Sequence, residues 1–402
     1  MNMYFVGGVL SRIFARMKIG IDARTILNPE HGDSIGSGHY TYQLIKHLLL
    51  LDKENQYVLF FDYRVREKDI KKFSLPNVSI RFYPFSDYKK YLPGAYSEIL
   101  GLATISRENL DVLHSTSVMS RIPLLYNGKS ITTFNSLGTF AFSEMYPPSR
   151  RIKERSLLRY MAQKSDRIIA VSHFLADEIK EKLGLDTKKI SVVHAGLDSR
   201  FFKAPESDGV DFRVGHKITS PYAFFLGTIS PINNIPRLIE AFALFRKMKG
   251  VHKDFKLVIA GKRGWLSEEC KQVAKDLGVL SHVIFTGYVV GDDLVPLFHN
   301  AEFFIMPSLY EGFGSTILEA LATGTPTLAS KVSSIPEIAG DAVRYIDPRN
   351  KEEMAQEMYG FVKNEKVRHE YAQKGVKQAK KFSWKKAAQE TLDVYRDVVG
   401  SK

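Results

Sequence analysis

One cysteine, Cys270, occurs in 402 residues, so no intrachain disulfide is available and stability must come from packing. That usage fits a reducing compartment, and a cytoplasmic location is the expectation. No run of about 18 apolar residues occurs either, which excludes a membrane-spanning helix. Acidic residues are in deficit: 44 Asp and Glu face 57 Lys and Arg, a net charge of +13. Such an excess attracts nucleic acid, anionic lipid or phosphorylated small molecules. The basic runs Lys89-Lys90, Lys188-Lys189 and Lys380-Lys381 are short and scattered. None is the basic stripe interleaved with aromatics that a nucleic-acid groove requires, so nucleic acid is not the expected partner.

Several familiar motifs are missing. After Gly36 and Gly38 a dinucleotide fingerprint needs a third glycine, and the chain has Thr41. Gly128-Lys129-Ser130 ends like a phosphate loop, but Pro123 stands where that loop needs its first glycine. Gly32-Asp33-Ser34-Ile35-Gly36 spells a serine-hydrolase elbow, yet it lies in a polar loop well past the preceding strand. None of the eleven histidines has another three or four residues away, and no Asp-x-Asp occurs. A helical zinc site and a carboxylate clamp for a metal-bound sugar nucleotide are therefore not expected. Cys270 lies in an amphipathic segment and reads as packing.

What remains is an ordinary globular composition, 44% hydrophobic and 25% charged, long enough for two or three domains. From Met17 the segment MKIGIDAR reads as a buried strand, followed by the glycine-rich HGDSIGSGHYTY and an amphipathic helix at YQLIKHLLLLD. YVLFF, VSIRFY, DVLHS, SITTF, RIIAVS and ISVVHAG continue as strands, separated by segments such as RIKERSLLRYMAQKS and HFLADEIKEKLG. Periodicity lapses across positions 202–221, as in an interdomain linker. A second set of strands then follows: AFFLGT, FKLVIAG, VIFTGYV, AEFFIMPS and TPTLAS. The expected architecture is α/β, with two Rossmann-like, doubly wound parallel-sheet domains facing a cleft. The expected division is an N-terminal extension at 1–16, expected to be disordered, a first domain at 17–205, a second at 206–382 and a terminal helix at 383–402. Ser383 is the expected N-cap of that last helix.

The densest chemical signal is PSLYEGFGSTILEALATGTP. Glu311 follows a strand, Gly312 and Gly314 loosen the turn, a helix begins near Ser315, and Glu319 lies eight residues past Glu311. The N–H groups of Gly314, Ser315 and Thr316 at a helix N-terminus suit a phosphate, and flanking carboxylates suit sugar hydroxyls. The alternative is structural: Glu311 caps the helix and Glu319 is a solvated helix residue.

Together with GIDAR, IGSGHYTYQL, DRIIAVSHF, VSSIPEIAGDAVRYIDP and the FSW-initiated last helix, this block resembles glycosyltransferase family 4, whose members carry E-x7-E in this setting. The resemblance spans nearly the whole chain. It implies the GT-B fold, with the terminal helix crossing back to the first domain. It also implies a nucleoside-diphosphate sugar as donor, held mainly by the second domain, no other cofactor and no metal. The acceptor would be a saccharide or lipid-linked saccharide held by the first domain. By the same resemblance Glu319 would bind the donor ribose, Glu311 the transferred sugar, the Gly314–Thr316 amides the diphosphate, and Gly36 and Gly38 the phosphate from the opposite domain. The donor base would sit near Tyr288 to Val290, and transfer would retain anomeric configuration.

Two segments depart from the pattern. Relatives carry Glu-Pro-Arg-Lys-Asn where this chain has Ser230-Pro231-Ile232-Asn233-Asn234, so two cations facing the diphosphate are lost. Relatives carry Thr-x-His-Asp-Leu at the cleft, whereas this chain has Thr133-Phe134-Asn135-Ser136-Leu137. Asn135 can hydrogen-bond a sugar but cannot carry a proton. Lys262, Arg263 and Lys331 are candidate replacement cations. Arg150–Arg167, with seven cations and two carboxylates, is a candidate contact for an anionic membrane and hence for a location peripheral to the inner membrane face. Two readings follow: a retaining glycosyltransferase with catalytic Glu311 and Asn135, or an impaired relative that binds nucleotide, glycan or protein without transfer.

Overall fold

The computed structural model describes residues 16–27, 36–83, 94–205, 209–262, 264, 266–289 and 291–401, without the side chains of 94–97, 211 and 292. The expected extension at 1–16 lies outside them except for Arg16, as do Val290, Arg263 and most of the serine-hydrolase-like run.

The first sheet contains β1 (Lys18–Asp22), β2 (Gln56–Asp62), β3 (Val78–Tyr83), β4 (Val112–Ser115), β5 (Ser130–Phe134), β6 (Arg167–Ala170) and β7 (Ile190–Val192). Their spatial order is β3-β2-β1-β4-β5-β6-β7, and every pairing is parallel. The second sheet contains β8 (Tyr222–Leu226), β9 (Lys256–Ala260), β10 (Val283–Gly287), β11 (Phe303–Met306), β12 (Thr327–Ser330) and β13 (Arg344–Ile346), in the order β10-β9-β8-β11-β12-β13, also parallel. Helices cover both faces of such sheets, so the central strands are continuous apolar runs rather than alternating ones. All five residues of β8, YAFFL, are buried, as are FFIM of β11.

Strand order reverses between β1 and β4 and again between β8 and β11. At such switch points the connections leave on opposite faces and open a crevice beyond the strands' carboxyl ends. The two domains turn these crevices toward each other.

Sequence periodicity locates twelve of the strands and omits β13, whose three residues are too few to show a period. It also passes over the helices Gly94–Ser106, Lys351–Lys363 and Glu365–Ala379. The expected linker contains a short helix, Val210–Gly215.

The last helix, Trp384–Gly400, starts at Ser383, whose hydroxyl accepts from Lys386 N. It returns to the first domain. The Trp384 ring meets Tyr40 edge-on at 5.5 Å, and buried Tyr395 donates or accepts at His114 Nδ1 over 2.7 Å. His114 is fully enclosed, and that desolvation pushes its imidazole down to about 3, so it is neutral. The Lys129 ammonium binds the carbonyls of Val398 and Ser401, each at 2.6 Å, where the helix's negative end favours a cation.

Candidate functional site

Between the domains lies a cleft of about 410 Å³. Its walls come from the connections just described: Gly36, Ser37, His39 and Tyr40 after β1, Asn135 and Ser136 after β5, Gly227 and Thr228 after β8, and Ser308 with Tyr310 to Thr316 after β11. Of the residues expected from sequence, the cleft gathers Glu311, Glu319, Gly314, Ser315, Thr316, Asn135, Asn233 and Gly36, and also Ile232. Gly38 is buried behind the wall, and Tyr288 stands 51% exposed outside it while its neighbour Val289 forms part of the lining.

Two helix N-termini border the space. Gly314 is the N-cap of Ser315–Ala322 at φ +94°, a left-handed conformation that glycine adopts without Cβ strain. No side chain caps this end, so the first-turn N–H groups of Ser315 and Thr316, beyond reach of any helical carbonyl, are available to an anion. Gly36, at φ +69°, opens the 16-residue helix Gly36–Leu51 from the other domain.

The two glutamates are neither cap nor solvated helix residue. Glu319 is 8% exposed, and burial pushes its carboxyl up to about 8, with Arg200 pulling it down and Asp198 pushing it further up. Among the described residues its carboxylate has no hydrogen-bond donor. Enclosure raises Glu311 to about 7 against the hydrogen bond it accepts from Ser308 Oγ at 2.9 Å. Both groups can therefore exchange a proton near neutrality or accept from hydroxyls.

The loop that holds Glu311 is fixed by the first domain. Tyr310 OH donates to Glu178 at 2.5 Å and accepts from Leu137 N at 3.0 Å, and Ser172 Oγ donates to the Gly312 carbonyl at 2.7 Å. A Cβ on Gly312 would lie 2.0 Å from the Asn135 carbonyl oxygen, so the domains touch backbone to backbone there. Sequence reasoning missed Tyr310, Glu178 and Ser172, because their pairing joins distant segments. The FSW signal did mark Trp384, but as the start of a helix and not as the cleft residue it also is.

Cations are scarce. Among the described lining residues there is no lysine or arginine, and His39 is the one basic side chain. Ile232 and Asn233 sit where the expected cations would, and the Asn233 amide is committed to the Thr228 carbonyl at 2.6 Å. Lys262 is exposed and outside the lining, and Lys331 is directed over the Tyr345 ring at 5.9 Å.

Comparison with known proteins explains this layout. Residues 35–201 match the family model for Glycosyltransferase Family 4, and residues 209–378 match that for Glycosyl transferases group 1. The chain belongs to the group 1, family 4 glycosyltransferases. It is 28% identical over 270 residues to O-antigen chain mannosyltransferase B of Escherichia coli, across 67% of this chain and 70% of that protein. Sucrose-phosphate synthase from Thermosynechococcus elongatus shares the fold with a TM-score of 0.76 at 16% identity, over 96% of this chain and all (100%) of the other. The Anabaena protein HepE, solved with UDP and glucose, superposes with a TM-score of 0.74 at 16% identity, over 95% and 100% of the two chains. This glycosyltransferase thus has the GT-B arrangement, and the cleft is where its two Rossmann-like domains face each other. Among its described residues no helix is long and apolar enough to cross a membrane.

Proposed function

We propose that this glycosyltransferase moves a sugar from a nucleoside-diphosphate donor to a saccharide or lipid-linked acceptor with retention of anomeric configuration, and needs no metal to do so. The observation that carries this reading is a pair of carboxyls, Glu319 buried and Glu311 half-buried, flanking an uncapped helix N-terminus. The amides of Gly314 to Thr316 take the diphosphate, Glu319 the ribose hydroxyls and Glu311 the hydroxyls of the transferred sugar. Gly36 brings the opposing helix end to the phosphate. The bond between the anomeric carbon and the donor phosphate oxygen breaks, the acceptor oxygen joins that carbon on the same face, and the acceptor proton passes to the departing phosphate. Stabilising negative charge on the leaving group is the main demand. Asn135 supports the sugar by hydrogen bonding. The base lies along Val289 and its neighbours.

The missing cations favour a second reading, a relative that binds donor with little turnover. Each lost stabiliser costs roughly 3 to 4 kcal/mol of barrier. Membrane contact through Arg150–Arg167 is part of the proposal in reduced form. Arg155 binds the Thr139 carbonyl and, with Arg159, covers the Phe140 ring, and Lys164 binds the Leu124 carbonyl, so several of these cations brace loops of the first domain.

Thermal-shift titration with uridine, guanosine and adenosine diphosphate sugars tests the donor site. A ligand at about a hundred times its Kd adds roughly 2.7 kcal/mol of stability. Saturable stabilisation by one base supports the assignment, and no response to any of them removes it. Proton NMR of the product gives the anomeric configuration, and transfer that persists in EDTA supports the metal-free reading.

A further inference from the structure

A second polar cluster spans the domain boundary next to the cleft. Glu337, at the start of the short helix Ile335–Ala339 in the second domain, reaches the first domain with both carboxylate oxygens. Oε1 accepts from His173 N at 2.8 Å and lies 2.6 Å from His194 Nε2, and Oε2 accepts from Phe174 N at 3.0 Å. The His173 and His194 rings stand edge to face with centroids 5.6 Å apart. One donor atom from each of His173, His194 and Glu337 lies within 4.8 Å of the others.

Two imidazoles and a carboxylate form the donor set preferred by zinc and its neighbours, whereas magnesium and calcium favour all-oxygen surroundings. The carboxylate is already oriented by two backbone N–H groups, as outer-shell partners orient metal ligands. Its charge also offsets the positive end of the helix His173–Leu183, which would otherwise oppose a cation. We propose that His173, His194 and Glu337 form a binding site for a late first-row divalent cation of the zinc class, which ties the two domains together. The site has no part in the transfer chemistry. Its position gives it leverage: two ligands belong to one domain and the third to the other. Phe313 of the donor loop lies against His194, with ring centroids 6.2 Å apart. Occupancy would fix the domains' relative position one ring away from Glu311.

The test is a titration of chelator-washed protein with Co²⁺, followed by visible absorption, with Zn²⁺ as competitor. Expected is a saturable signal at one equivalent, displaced by Zn²⁺ and accompanied by a raised melting temperature. His173→Ala should lower affinity at least tenfold while leaving the metal-free melting temperature unchanged, because His173 is exposed. Glu337→Gln, which retains an acceptor for the helix amides, should do the same to affinity. No saturable signal at one equivalent overturns the proposal. So does binding that survives both substitutions, since it then belongs to other histidines.

Discussion

Replacing Glu319 with glutamine should make the protein more stable at high pH while weakening its hold on the donor. Glu319 is 8% exposed, and its carboxyl is raised to about 8 by burial. A folded-state value above the unfolded one means that the neutral form is favoured by folding. The associated stability is complete below about pH 4.5 and is lost as pH rises through about 8. Raising this carboxyl from 4.5 to about 8, at about 1.4 kcal/mol for each tenfold change in proton affinity, corresponds to at most ~5 kcal/mol. Glutamine keeps the shape and cannot ionise. The melting temperatures of parent and Glu319→Gln should therefore be close at pH 5, diverge through pH 6 to 8 in favour of the variant, and run parallel above pH 9. With 2 to 4 °C per kcal/mol as a guide for a domain of this size, the final gap should be several degrees and no more than roughly 20 °C. Differential scanning calorimetry across that range is the assay. A gap independent of pH would refute the buried-acid argument. Donor binding supplies the counterpart: ribose hydroxyls donating to the carboxylate favour its charged form, so affinity for the nucleoside diphosphate should rise from pH 6 to 8 in the parent and not in the variant.

Three further variants address the cleft. Glu311→Ala should reduce transfer by a hundredfold or more without unfolding the protein, and an unchanged rate would remove Glu311 from the site. Ile232→Arg with Asn233→Lys restores two cations beside the diphosphate and should tighten donor binding and raise turnover by at least tenfold; no gain would show that other groups meet that charge. Gly312→Ala places a methyl 2.0 Å from the Asn135 oxygen and should cost about 1 to 3 kcal/mol as the domains are forced apart, read as a lowered melting temperature and a weakened donor response. An unaffected protein would mean that the contact between Gly312 and Asn135 is dispensable.

Much of this fold is legible in the amino-acid sequence, for a physical reason. Parallel strands covered on both faces become unbroken apolar runs such as YVLFF and FFIM, and glycines such as Gly314 mark the turns that strands need before helices. The Glu311–Glu319 block is readable because strand, turn, helix and both carboxylates fall within twenty residues. Lys262 is misplaced on the same logic, because a loop after a strand shows which edge a residue occupies but not whether its side chain faces the cleft. What joins the domains is not readable at all. Tyr310 meets Glu178, Ser172 meets Gly312, and His173 and His194 meet Glu337 across more than a hundred residues, so no spacing rule connects them. A search for histidines three or four apart finds zinc sites on one helix and is blind to a cluster assembled by domain docking.

The terminal helix imposes an order on how the protein can be made. The surface formed by Tyr40, His47 and His114 belongs to strands and helices completed early in synthesis, but its cover is Trp384–Gly400. Gly196 is kept small because the backbone of Trp384 passes where a side chain would stand. While the second domain is still being translated, the first waits with an apolar groove uncovered, at a rate of only about 5 to 20 residues per second. A helix made only after the whole second domain therefore finishes the first, and a nascent chain stalled before it would be the species most in need of a chaperone.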